Sequence, residues 1–192
     1  MSNTNKSYYN LNLKNWDKIK ERYSAHIEDN IPGQEIIIFQ QDDSEIAWLE
    51  DYLLEDVCNY TGLTHKIKFA VLGGLCANNT LKEHIDGFHP PRPDSSKWSL
   101  TIPIKNYDHF EMQWFNGDYI SQEREDTPDP TSPCKADEMQ LIRPKWIGDR
   151  YLKDSIIITE PTVIQVNIPH TVHNYSTKTR VVLAVRFTPD IE

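Results

Sequence analysis

Between Asp42 and Gly62 the apolar residues Ile46, Leu49, Leu53, Leu54 and Val57 recur at helical intervals behind an acidic start. The spacing predicts an amphipathic helix over 42–62, with Gly62 as its stop. A shorter helix is predicted over Trp16 to Tyr23. The apolar stripes of both are read as core packing rather than binding grooves. From His65 onward the pattern changes to short β-branched and aromatic runs separated by turn residues. These predict strands over Lys66–Leu72, Trp98–Ile104, Phe110–Phe115, Ser155–Ile158, Thr162–Ile168 and Arg180–Phe187. Helices come first and strands after, without regular alternation, which argues against a parallel sheet with crossover helices. A mostly β fold fits, a jelly-roll or barrel-like core braced by N-terminal helices. The polar, proline-bearing stretch over 117–146 reads as a long loop or insertion.

The chain has 192 residues and 38% hydrophobic positions, enough for one domain with a real core. The expectation is a single domain over 1–192, with 1–64 as helical support and 65–192 as the β core, interrupted by an insertion at about 117–150. A formal charge of −9 and the lack of a basic stripe exclude a broad nucleic-acid surface. Cys58, Cys76 and Cys134 are odd in number and lack C-x-x-C spacing, so neither a disulfide framework nor a zinc ribbon is expected. With neither a signal peptide nor a membrane span visible, a cytoplasmic location is the expectation.

In LKEHIDGFHP, His84 and Asp86 are two apart, which puts an imidazole and a carboxylate on one side of an extended segment. Alone this pair is weak, since polar triplets are common by chance. A second informative stretch is PTVIQVNIPHTVHNYSTKTRVVLAVRF, which carries His170, His173 and Arg180. Two histidines and one carboxylate are the donor set of Fe(II) sites that activate dioxygen while leaving other positions open. If the cosubstrate is 2-oxoglutarate, its far carboxylate needs a fork-shaped cation, and an arginine on a neighbouring strand suits it.

With these residues the chain resembles the Fe(II)- and 2-oxoglutarate-dependent oxygenases, over roughly Lys66 to Phe187. That superfamily carries H-x-D, a distal His and then an Arg or Lys about ten positions later, here His84-Ile85-Asp86, His170 and Arg180. The final stretch is similar to the prolyl hydroxylase and aspartyl/asparaginyl hydroxylase branches. The resemblance implies a double-stranded β-helix (jelly roll, cupin-like), with Fe(II) held by His84, Asp86 and His170, 2-oxoglutarate anchored by Arg180, and O2 as co-reactant. It selects His170 over His173, which lies seven residues before Arg180 instead of ten. It further implies hydroxylation of a small molecule, such as an amino acid, or of a protein residue, with release of succinate and CO2. Asp86 argues against halogenation, because halogenating members carry a small residue there; desaturation and ring formation stay open.

The resemblance places Trp98, Ser99 and Thr101 on the strand where the family often lines its cosubstrate pocket. Arg92, in the Pro-rich loop after the H-x-D, is a candidate to close over the substrate. Parity on the last strand puts Arg180, Val182, Ala184 and Arg186 on one face, so Arg186 is expected to meet an anionic group of substrate or cosubstrate, the alternative being a salt bridge at the barrel mouth. His26, His65, His89 and His109 are read as bystanders. Gly87 is expected to turn the chain away from the metal. The expected partners are a small-molecule or peptide substrate and no membrane, and the N-terminal helices offer a surface on which a homodimer could form. The alternatives are a cupin-like metal- or ligand-binding barrel without 2-oxoglutarate chemistry, which leaves Arg180 without a role, and a non-catalytic β-sandwich.

Overall fold

The computed structural model describes residues 6–26, 36–86, 96–122 and 142–191. In chain order the elements are β1 (Tyr8–Asn10), α1 (Trp16–Ser24), β2 (Ile36–Gln40), α2 (Ser44–Thr61), β3 (Lys66–Leu75), β4 (Asn79–His84), β5 (Trp98–Lys105) and β6 (Phe110–Asn116). There follow β7 (Tyr119–Gln122), β8 (Arg143–Trp146), β9 (Tyr151–Ile157), β10 (Thr162–Gln165), β11 (His170–Asn174) and β12 (Arg180–Thr188).

Helix α2 starts where the Asp43 carboxylate accepts from the Glu45 N–H, satisfying one of the orphan donors of the first turn. It ends at Gly62, whose φ of 72° lies in the left-handed region and whose N–H donates to the Cys58 carbonyl. The predicted helix over 42–62 is thus trimmed to its caps. Its stripe buries Ile46, Leu49, Leu53 and Val57, and α1 adds Ile19 and Tyr23.

Two antiparallel sheets carry the rest. The larger runs β1-β10-β5-β12-β3-β2 and the smaller β4-β11-β6-β9. The helices cover the outer face of the larger sheet, where they meet Leu72, Leu100, Ile102, Leu183 and Val185. The inner faces of the two sheets meet through Phe110, Met112, Trp114, Ile164, Val166, Val172 and Val182. Strand β5 has both faces covered, which is why every residue from Trp98 to Ile104 is buried. Each such fully buried aliphatic side chain contributes about 1.5–3 kcal/mol of transfer free energy. This is the expected jelly-roll fold with helices on one side.

The structure also contains strands that the apolar pattern missed. β4 and β11 form half of the smaller sheet, and β1 and β2 edge the larger. Within the expected insertion, β7 and β8 pair as a two-stranded antiparallel ribbon beside β4, and β9 begins at Tyr151, earlier than the predicted Ser155. The residues numbered 123–141, Cys134 among them, lie outside the described residues. Among the described residues no helix is long and apolar enough to cross a membrane.

Candidate active site

β4 and β11 are neighbours in the smaller sheet, and their register makes His84 and His170 Cα partners, with Trp114 of β6 on the far side of His170. Two histidines remote in sequence thereby become one cross-strand pair, with ring centroids 4.2 Å apart and both residues buried. Asp86 sits just past the end of β4, in a bend after the bridge residue Ile85, rather than within the strand. Its Oδ1 lies 3.3 Å from His84 Nε2 and 3.6 Å from His170 Nε2. Ligand atoms of the three residues all fall within 4.8 Å of one another.

The hydrogen bonds on the far sides of the rings decide what these atoms present. His84 Nδ1 lies 2.8 Å from the Lys82 carbonyl and His170 Nδ1 lies 2.9 Å from the Ile168 carbonyl. A carbonyl only accepts, so each Nδ1 carries a proton and each Nε2 of a neutral ring offers a lone pair. Two lone pairs and a carboxylate oxygen then converge on one point, which is favourable only with a proton or a cation between them. The donor set of two imidazoles and one carboxylate fits Fe(II).

Burial, followed by the neighbouring His170, pushes the His84 ring below its usual value and so favours the neutral, ligating form. For Asp86, burial by itself would raise the carboxyl. The imidazoles of His170 and His84 beside it, with the charge of Arg186, outweigh it and hold the group well below the carboxylate range. Arg186 Nη2 donates to Asp86 Oδ2 at 2.5 Å, which leaves Oδ1 as the oxygen facing the histidines. Burial lowers the Arg186 guanidinium, and the Asp86 charge opposes that.

A cavity of about 130 Å³ opens from this cluster between the sheets, a size that takes one small organic molecule. Arg180, Val182, Ala184 and Arg186 all line it, as parity on β12 predicts, while Val181, Leu183, Val185 and Phe187 face the helical layer. Arg180 is buried, its guanidinium 3.7 Å over the ring of Phe110. Ser99 and Thr101 line the cavity, and Ser99 Oγ is buried without a hydrogen-bond partner.

Trp98 does not line it. Alternation along β5 turns its side chain to the opposite face, into the cluster under the helices and against Tyr9, away from the pocket lined by Ser99 and Thr101. Arg186 pairs with Asp86, the salt-bridge alternative for this residue, and its Nη1 is buried without a hydrogen-bond partner. His173, three residues after His170, points elsewhere and bonds Thr80 and Thr171. His65 is a buried tie between Thr61 and the Pro189 carbonyl, and His26 and His109 are exposed. Gly87, His89 and Arg92 lie outside the described residues. Val71, Leu81, Phe110, Met112, Ile164, Val166 and Val172 add to the apolar lining, a role that the strand pattern did not show.

No family model and no curated protein sequence matches the chain. Solved structures do. The non-heme alpha-ketoglutarate-dependent carbocyclase SnoK from nogalamycin biosynthesis aligns with a TM-score of 0.53 at 11% identity, over 94% of this chain and 79% of that one. A prolyl-4-hydroxylase from Pseudomonas putida aligns at 0.45 and 13%, over 95% and 92%. A 2OG-Fe(II) oxygenase family oxidoreductase from Burkholderia pseudomallei aligns at 0.45 and 12%, over 90% and 76%. The likeness to SnoK establishes a shared fold.

Proposed function

We propose that this protein is an Fe(II)- and 2-oxoglutarate-dependent dioxygenase that hydroxylates a small molecule, such as an amino acid, or a protein residue, releasing succinate and CO2. The observation that carries the reading is the convergence of His84 Nε2, His170 Nε2 and Asp86 Oδ1 at a cavity whose wall includes the buried guanidinium of Arg180. SnoK, which shares the fold, is described as alpha-ketoglutarate dependent. A cupin-like barrel without this cosubstrate would account for the three ligands but leave a buried arginine on an apolar cavity unexplained.

Bound iron and 2-oxoglutarate would together supply the reduction of O2 and the oxidation of a C–H bond. His84, Asp86 and His170 would hold the metal from one side, because their other polar atoms are committed to the Lys82 carbonyl, Arg186 and the Ile168 carbonyl. Arg180 would take the far carboxylate of the cosubstrate through two parallel hydrogen bonds, with its stem and plane held by stacking on Phe110. Ser99 Oγ and Thr101 Oγ1 would add hydroxyl donors on the same wall, and Arg186 Nη1 is a donor for an anionic group. Val71, Leu81, Met112 and Val172 would keep bulk water from the reacting end.

The test is anaerobic addition of 2-oxoglutarate to the Fe(II)-loaded chain. A weak visible charge-transfer band, and succinate release once air is admitted, are the expected results. A flat spectrum with metal bound would leave the cupin-like reading in place, and no metal binding would dismiss both.

A further inference from the structure

Among the described residues β4 is the outer edge of the smaller sheet, with no further strand of that sheet beyond it to hold the chain that carries His84. The β7–β8 ribbon occupies that side instead. Arg143 Nη1, at the start of β8, donates to the Lys82 carbonyl at 2.9 Å and to the Glu83 carbonyl at 2.8 Å, and the Ile85 N–H donates to the Ile142 carbonyl at 2.9 Å. The ribbon is pinned a second time by the Glu83 carboxylate, which accepts from Trp146 Nε1 and from Arg150.

The Lys82 carbonyl is also the acceptor that orients the His84 ring. Both of its lone pairs are therefore used, one by the imidazole and one by Arg143. His170 has no counterpart of this dependence, because β11 is held by β4 on one side and β6 on the other. Of the two histidines, only the one on the edge strand borrows its support from the ribbon.

We propose that Arg143 is a positioning residue for the metal site, fixing the Lys82 carbonyl and through it the direction of His84 Nε2. The inference rests on the metal reading above and adds that the affinity of the site depends on a segment outside the two sheets. Removing a group bonded directly to a histidine ligand weakens metal binding by about 10–100-fold. Arg143, one hydrogen bond further out, is expected to act near the lower end of that range.

The test uses the full chain with Mn(II) alone as probe, free ion being measured by electron paramagnetic resonance. Arg143→Met keeps the aliphatic stem and removes every donor. It is expected to raise the Mn(II) dissociation constant by about tenfold or more, with the thermal midpoint of the metal-free chain little changed and Arg143→Lys recovering part of the loss. In 15N-histidine spectra of the metal-free chain, the His84 Nδ1–H signal is expected to shift and exchange faster in Arg143→Met, while that of His170 stays. If Arg143→Met does not fold, Arg143→Gln, whose amide stops two bonds short of both carbonyls, is measured in its place. Unchanged Mn(II) affinity in either folded variant overturns the proposal. An unsubstituted chain that binds no Mn(II) overturns the metal reading instead, and the His84 signal then still reports whether Arg143 orients the ring.

Discussion

The two faces of β12 differ in everything except their backbone. On one, Val181, Leu183, Val185 and Phe187 are almost fully buried against the helical layer and carry no polar atom beyond the main chain. On the other, Arg180, Val182, Ala184 and Arg186 face a cavity, with two guanidinium groups separated by small or branched apolar side chains. The alternation of a strand allows both in nine residues, because neighbouring side chains never share a face. Apolar packing is concentrated on one side of the strand and the charged groups of the cavity on the other, so substitutions on the two sides should separate in what they disturb.

The largest effect is expected across the cavity from β12. His170→Ala removes one of the three converging ligand atoms, and metal affinity should fall by more than the roughly 100-fold that an outer partner is worth, as read by Mn(II) titration. The unfolding midpoint of the metal-free chain should move little. Leu183→Ala should do the reverse. Leu183 is fully buried between Leu72 and Ile102, and losing its side chain should cost about 2–5 kcal/mol in urea unfolding, with Mn(II) affinity unchanged in the folded fraction. Equal loss of metal affinity in Leu183→Ala would break the separation of the two faces.

A finer cut keeps the charge on the cavity face and changes only its shape. Arg180→Lys replaces a planar fork by a point charge, which removes one of two parallel bonds to a carboxylate and should weaken 2-oxoglutarate binding by about 1.5–3 kcal/mol, roughly 10- to 100-fold. Calorimetry against the metal-loaded chain would measure it. An unchanged affinity would mean that the cosubstrate carboxylate is held elsewhere.

The helical layer and β12 were readable in the sequence because apolar side chains repeat there at the helical or strand period. The strands that bear the ligands were not. β4 is NTLKEH, with only His84 fully buried, and β11 buries three polar residues, His170, Thr171 and Asn174, beside the single apolar Val172. A strand that turns polar groups inward breaks the pattern by which strands are recognised, so the elements of the site were the hardest to see. The three residues that converge, His84, Asp86 and His170, were picked out by residue type, spacing and the family resemblance. Arg143 was not, because its partners are backbone carbonyls, which every residue has. The partner of Arg186 was missed for a related reason, since parity gives a face but not the side chain opposite. β8, with Pro144 among its four residues, reads as loop, and its place at the edge of the fold is where a proline is tolerated in a ladder.

The smallest effect lies farthest from the cavity, where α1 is tied to α2. Arg22 binds Glu45 through Nε and Nη2, and the Tyr23 hydroxyl donates to the same carboxylate. The hydrogen bond from Arg22, aided by the one from Tyr23, holds the Glu45 carboxyl below its ordinary value, with burial working against it. A carboxyl lowered in the folded state adds stability that is fully present above the ordinary value and is lost as the pH falls through the folded one. Glu45→Gln keeps an acceptor for Tyr23 but not the charge. It should cost about 0.5–1 kcal/mol at pH 7 in urea unfolding, and the gap to the parent chain should close as the pH is lowered below about 4. Metal affinity should not change at any pH where the chain is folded. A pH-independent gap would assign the contribution of Glu45 to packing between α1 and α2 rather than to its charge.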